Sequence, residues 1–308
     1  MQRLLSRRDV TRIAAGSLAV ASLPLAAFAP ASVAVLASDA TATPAGGSFT
    51  DLGLQTLDLK VSANGVEGLP ETLAAGRYVL HLEPGDMLPN DTMPGVFFAM
   101  LPDGITMDDL AAMASTPMPG PPDWYYTTTL PGGVSAAPGQ AGDAVIDLKA
   151  GNWFASGPEL STPPVGLTVT GDSPSDVKDP AANATITLKE YTIEVTDGAL
   201  QAGQNIIKLE NVGTEPHFVE LFKGPDDMTK EQLDATINVA MTGTPTADAL
   251  DFSTLIPVFE SIDQSAGTTQ WAALSLEAGA YAGVCWVGDP KTGAPHAAMG
   301  MYNLFIVK

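Results

Sequence analysis

One plan of segments occurs twice along this 308-residue chain, and that repetition constrains the fold more than any other feature. The first half carries Ala75-Gly76-Arg77-Tyr78-Val79-Leu80-His81-Leu82-Glu83, and the second carries Ala202-Gly203-Gln204-Asn205-Ile206-Ile207-Lys208-Leu209-Glu210. Further on, Leu148-Lys149-Ala150-Gly151-Asn152-Trp153 parallels Leu276-Glu277-Ala278-Gly279-Ala280-Tyr281. Between these pairs lie Thr106-Met107-Asp108-Asp109-Leu110 and Thr229-Lys230-Glu231-Gln232-Leu233, each a Thr cap with acids in the first helical turn. Order and spacing agree in both halves, which predicts an internal duplication. A break falls at Gly171–Pro180, and on both sides short β-rich runs are separated by turns drawn from 30 glycines and 25 prolines. Such runs predict an all-β chain of β-sandwiches with few long helices. The expected units are residues 49–170 and 181–308.

In the second unit, Ile186 and Leu188 alternate, and Tyr191, Ile193 and Val195 alternate in the other phase. The slip at Lys189-Glu190 predicts a bulge or kink. Residues 205–210, 217–223, 271–276, 281–287 and 302–307 read as further strands, Thr229 to Ala240 as an inserted helix, and Asp251 to Ser261 as another short helical turn.

Residues 1–37 read as a targeting segment. Ser6-Arg7-Arg8-Asp9-Val10 precedes a stretch from Ile13 to Ala37 with no charged residue, the pattern of a twin-arginine export signal. Ala27-Phe28-Ala29 and Val35-Leu36-Ala37 offer cleavage contexts, and Pro24 and Pro30 interrupt the apolar run. An uncleaved membrane anchor is the other reading of the same length. Residues 38–48 follow as an Ala/Thr/Gly linker. The expectation is a chain exported to the periplasmic or extracellular side of a prokaryotic membrane.

A formal charge of −21 excludes nucleic acid as a partner, because the phosphate backbone would repel it. A partner with a basic surface, or a salty habitat, fits that charge. Export also bears on Cys285, the one cysteine. Cysteines outside the cytosol normally pair within the chain, and here no second one exists. Cys285 is therefore a small buried hydrophobe, an intermolecular bridge or a metal ligand.

Three clusters weight that choice: Asn211-Val212-Gly213-Thr214-Glu215-Pro216-His217-Phe218, Gly279-Ala280-Tyr281-Ala282-Gly283-Val284-Cys285, and Pro295-His296-Ala297-Ala298-Met299-Gly300-Met301. Together they supply two imidazoles, a thiolate and a thioether, the donor set of a trigonal His₂Cys copper site with a weak axial Met. The turn before His217, the strand ending at Cys285 and the His296-to-Met301 ending resemble the cupredoxin family of blue-copper proteins over residues 181–308. That resemblance implies two tandem cupredoxin-like Greek-key β-sandwiches with short inserted helices. It implies one type 1 copper held by His217, Cys285, His296 and Met301, with Met299 as the alternative axial group. It places His296 near the surface, within a small apolar patch of Ala294, Pro295, Ala297, Ala298 and Met299. Gly283 stands where the family commonly has an aromatic residue, and Phe218 where it often has Asn.

The first unit keeps the framework without the ligands: Gly157 falls near the position of Cys285, and Pro94 or Gly95 near that of His217. His81 reads as a packed or edge histidine. The whole chain holds three histidines, too few for the type 2 or trinuclear copper of nitrite reductases and multicopper oxidases. The expected role is one-electron transfer to or from a redox partner protein, not catalytic turnover. Copper delivery or storage, and a metal-free cupredoxin-like surface protein, are the alternatives.

Overall fold

The computed structural model describes residues 49–89, 92–115 and 120–308. The expected export signal and linker lie outside the described residues. In the first half the elements are β1 (Gln55–Ser62), β2 (Gly65–Glu67), β3 (Thr72–Ala74), β4 (Gly76–Leu82), β5 (Gly95–Met100), helix α1 (Met107–Ala114), β6 (Gly133–Ser135), β7 (Gly142–Leu148), β8 (Gly151–Ser156) and β9 (Val165–Thr170). In the second they are β10 (Ala184–Lys189), β11 (Thr192–Gly198), β12 (Gly203–Asn211), β13 (Glu220–Lys223), helix α2 (Lys230–Thr242), β14 (Ile256–Glu260), β15 (Thr269–Leu276), β16 (Gly279–Val284) and β17 (Tyr302–Val307).

Pairing in one half reproduces pairing in the other. Strands β1 and β4 run parallel, as do β10 and β12. The antiparallel pairs β4–β7, β5–β8 and β8–β9 have counterparts in β12–β15, β13–β16 and β16–β17. Each half is an all-β sandwich with one short helix after its β5 or β13 strand. Both helices start as the threonines predict: Thr106 and Thr229 each close a capping box with Asp109 or Gln232, worth about 1 kcal/mol per cap.

The halves share a sheet. Its order is β11-β10-β12-β15-β7-β4-β1-β2, so β15 pairs antiparallel with β7 across the junction. A five-stranded sheet, β3-β9-β8-β5-β6, closes the first sandwich, and a four-stranded one, β14-β13-β16-β17, closes the second. Val96, Phe98, Trp153 and Ala155 face the first core. Phe97, Ala99 and Phe154, on the opposite face of the same strands, belong to the apolar cluster of the second core. A sheet covered on both faces is apolar at nearly every position, which is why Gly95–Met100 does not alternate.

Three local expectations are corrected. The phase change at Lys189-Glu190 is a hairpin turn between β10 and β11, with a register shift instead at Thr185/Ile186. Reversing the chain flips the pattern as a bulge would, so periodicity alone cannot separate the two. The stretch read as a helical turn holds one, Phe252–Thr254, but continues into the edge strand β14, disguised by Pro257, which an edge position tolerates. The run 217–223 is a strand only from Glu220, with His217 forming an isolated bridge to Gln264. His81 is half-buried and pairs through Nδ1 with the buried Asp143 carboxylate at 2.7 Å across β4 and β7.

Candidate metal centre

Period-two alternation along β12 buries Asn205, Ile207, Leu209 and Asn211 on one face, so the strand ends with an amide pointing inward. Asn211 Nδ2 donates to the carbonyls of Glu215 (2.8 Å) and Gln264 (2.7 Å), and its Oδ1 accepts from Gly213 N (2.9 Å). This folds residues 212–216 into a tight loop that delivers His217. The His217 backbone exchanges two hydrogen bonds with Gln264, at 3.0 and 2.9 Å. Phe218 stands where the family often has Asn. Here Phe218 is fully buried in the core, and Asn211 and Gln264 supply the bonds.

Cys285 lies one residue beyond β16. Its N–H donates to Met301 O (3.1 Å) and its carbonyl accepts from Ala297 N (2.9 Å), which ties the end of one strand to the loop before the next. His296 opens a short 3-10 turn, His296–Met299, behind Pro295, and its N–H donates to Val287 O at 2.7 Å. The intervening loop is folded on Asp289, whose Oδ1 accepts from Lys291 N, Thr292 N and Thr292 Oγ1 at 3.0, 2.6 and 2.8 Å. Gly283, where an aromatic residue was the common alternative, leaves room for Phe305: a Cβ there would stand 2.5 Å from that ring.

These loops bring three predicted ligands together. His217 Nδ1, His296 Nδ1 and Cys285 Sγ all lie within 4.8 Å of one another. The two Nδ1 atoms are 3.1 Å apart, and Sγ is 3.7 Å from His296 Nδ1. All three residues are inaccessible to solvent. Met301 is equally buried, with its N–H donating to His296 O (3.0 Å), whereas Met299 is half-buried within the 3-10 turn.

Each imidazole meets a carboxylate on its far side. His217 Nε2 stands 3.3 Å from Glu190 Oε1, and His296 Nε2 stands 3.0 Å from Glu215 Oε2. Burial pushes the His296 imidazole down to about 4, and the nearby His217 adds to the fall. Burial also lowers His217, against the pull of Glu190. Both rings are thus neutral at pH 7, with one N–H each. Burial alone would raise Glu190, but the N–H groups of Thr214, Glu190 and Glu215, with His217, outweigh it and hold the carboxyl at about 2. Burial and the charges of Asp289 and Glu190 push Glu215 upward.

This pattern tests whether the residues fit a metal. A neutral imidazole keeps its proton on the nitrogen that has an acceptor, here Nε2. That leaves two Nδ1 lone pairs facing each other at 3.1 Å, beside a buried thiol. With both protons on Nε2, the two lone pairs repel each other unless a cation fills the gap. Soft sulfur plus two imidazoles suits copper or zinc. The donor set fits.

One expectation about exposure is corrected. His296 was placed near the surface, yet it is fully buried. Glu215 caps its outer nitrogen, and the half-buried Tyr191 ring stands edge-on at 5.3 Å, held by its hydroxyl to Asp289 Oδ2 at 3.3 Å. Of the expected apolar patch, Pro295 and Ala297 are buried and only Ala298 is well exposed. Sequence reasoning missed Glu190, Glu215, Gln264 and Tyr191. Glu215 lies two residues before His217. Nothing local marks Glu190 or Gln264, whose roles arise from tertiary pairing.

No protein-family model matches the chain, and no curated protein does either. Among solved structures, the chain is similar to auracyanin A, described as a "blue" copper protein, from Chloroflexus aurantiacus: 21% identity over 40% of this chain and 96% of that one, TM-score 0.27. The reduced auracyanin of Roseiflexus castenholzii matches at 16% identity over 40% of this chain and 94% of its own, TM-score 0.26. The copper nitrite reductase of Nitrosomonas europaea matches at 10% identity over 82% of this chain and 93% of its own, TM-score 0.22. TM-scores this low add nothing to the case, which rests on strand pairing and donor geometry in this chain.

Proposed function

We propose that this is an exported mononuclear copper protein that carries single electrons to or from a partner protein. The observation that carries the reading is the meeting of Nδ1, Nδ1 and Sγ in a buried triad whose imidazoles are each oriented by a carboxylate. His217, Cys285 and His296 would hold the ion, with Met301 as the fourth, axial donor; its burial, against the half-exposure of Met299, favours it. A copper ion bound there supplies a one-electron couple between its +1 and +2 states. The chain's part is to keep its donors still: Asn211, Gln264 and Glu190 fix His217, and Asp289 and the Cys285–Met301 bond fix the other loop. Donors that do not move when charge changes keep the cost of each transfer low. Full burial excludes water from all three donors and disfavours rapid exchange, which argues for electron transfer over copper delivery.

The first half, with Gly157 following β8 as Cys285 follows β16, reads as a duplicate that lacks the donors. With three histidines in the chain, no second set of imidazoles is left for a catalytic copper, so the role is a carrier's. A charge of −21 steers a basic partner toward it. Among the described residues, no helix is long and apolar enough to cross a membrane.

The test is an absorption and EPR spectrum after one equivalent of Cu(II), beside Cys285→Ser. An intense visible charge-transfer band that vanishes in the variant is the expected result. A protein that retains no metal after dialysis, with no band, would leave the metal-free reading standing.

A further inference from the structure

The half of the chain without ligand residues reaches into both loops that carry them. Tyr126, in the first half, donates its hydroxyl to Gly288 O at 2.8 Å. Gly288 lies between Cys285 and His296, and it bridges Pro295, the residue before His296. The phenol therefore holds the rung that closes the Cys–His loop. A few residues on, Leu130 N donates to Ser265 Oγ (2.9 Å), Ser265 N returns a bond to Leu130 O (2.8 Å), and Ser265 Oγ donates to Thr128 O (2.8 Å). Pro131 bridges Gln264, and Gln264 is the backbone partner of His217. Gly133 N donates to Gln270 Oε1 (3.0 Å), and Gln270 Nε2 donates to Gln264 Oε1 (3.2 Å). The approach is close: Gly132 has φ +98°, and a Cβ there would stand 2.2 Å from Gln270 Oε1. One segment, Tyr126 to Gly133, thus touches the neighbours of His217 and of His296 at once.

We propose that this segment is a positioning element of the metal centre, in which the Tyr126 hydroxyl sets the Cys285–His296 loop and the Leu130–Ser265 clasp sets His217. The proposal rests on the copper-site reading for its purpose, but the geometry acts on the metal-free protein too. Ordinary glue between two sandwiches could land anywhere along the junction, as the β7–β15 pairing does; these bonds land one or two residues from ligand anchors. Burial and the carboxylates of Glu215, Asp289, Asp263 and Asp123 push the Tyr126 phenol up to about 12, so it remains a donor across the working range. Its ring stacks edge-on against Tyr125 at 5.2 Å, so Tyr126→Phe keeps the packing and removes only the bond.

The experiment measures how fast the Cys285 thiol of the metal-free protein reacts with an aromatic disulfide reagent under native conditions. Tyr126→Phe and Ser265→Ala are each expected to raise that rate about fivefold, the factor carried by one hydrogen bond's net contribution. Tyr78→Phe, which removes a phenol bond to Ala74 O far from the triad, is the control and should leave the rate unchanged. After Cu(II) loading, Tyr126→Phe should also shift the copper–thiolate band. Equal thiol rates in wild type and both clasp variants would overturn the proposal. So would a rise in Tyr78→Phe as large as theirs, since reaction would then follow global unfolding. A wild type without a copper–thiolate band would sink the copper reading, while the thiol rates would still judge the clasp.

Discussion

Replacing Gly213 by alanine should dislodge Glu190 from beneath the His217 loop. A Cβ at Gly213 would stand 2.5 Å from Glu190 Oε1 and 2.9 Å from its Cδ. Ordinary contact begins near 3.4 Å, so the carboxylate must retreat by about 1 Å, beyond hydrogen-bond reach. It now accepts from Thr214 N, from Glu215 N at 2.9 Å and from Thr214 Oγ1 at 3.2 Å, and faces His217 Nε2 at 3.3 Å. Hydrogen bonds to a charged acceptor contribute about 1.5–3 kcal/mol each. Glu190 keeps 21% of its side chain exposed, so water replaces part of what is lost. The expected net cost is about 2–3 kcal/mol in urea unfolding of the metal-free protein. A double-mutant cycle decides the cause. In a Glu190→Ala background the clash has no target, and Gly213→Ala should cost under about 0.5 kcal/mol. An equal cost in both backgrounds would refute the reasoning and place the effect in the glycine backbone itself.

Three further outcomes follow from the same geometry. Gly283→Ala drives a methyl into the Phe305 ring and should destabilise by about 1–3 kcal/mol in thermal or urea melts, with the site loops unaffected. Met301→Leu is a volume-conserving exchange at a fully buried position; stability should fall by less than about 1.5 kcal/mol, while the absorption and EPR spectra of the copper-loaded form change and those of Met299→Leu do not. With a net charge of −21, the loaded protein should react faster with a cationic ruthenium hexaammine than with an anionic hexacyanoferrate in stopped flow at low salt; at about 1 M salt, where the Debye length is about 3 Å, the contrast should largely collapse.

The sequence was most legible where local chemistry decides. Thr106 and Thr229 announced both helices because a cap is a contact within one turn. The triad was readable because few residue types can ligate copper and the chain has so few histidines and one cysteine. Exposure was misjudged because what covers His296 comes from elsewhere: Glu215 from the loop before His217 and Tyr191 from the turn of the β10–β11 hairpin. That hairpin was itself read as a bulge or kink, since a bulge and a turn both invert the period-two pattern. The apolar run Gly95–Met100 held a hint of a doubly covered sheet, but nothing in it names the second covering, which is the other half of the molecule. The same limit hid Gln264 and Tyr126, whose partners Asn211 and Gly288 lie 53 and 162 positions away.

The rung between β7 and β15 has a consequence for anyone who would trim the protein. Eight strands from two sandwiches form one sheet, and the cut that frees the second half exposes the flank of β15 from Trp271 to Ala273 as bare backbone. Such a flank invites a second chain to dock edge to edge, so the severed half should cluster in solution rather than stay single. Arg77 lies across the Trp271 ring at 4.5 Å and would leave with the discarded part, uncovering the indole as well. The first half thus shields both the open flank of β15 and the indole beside it.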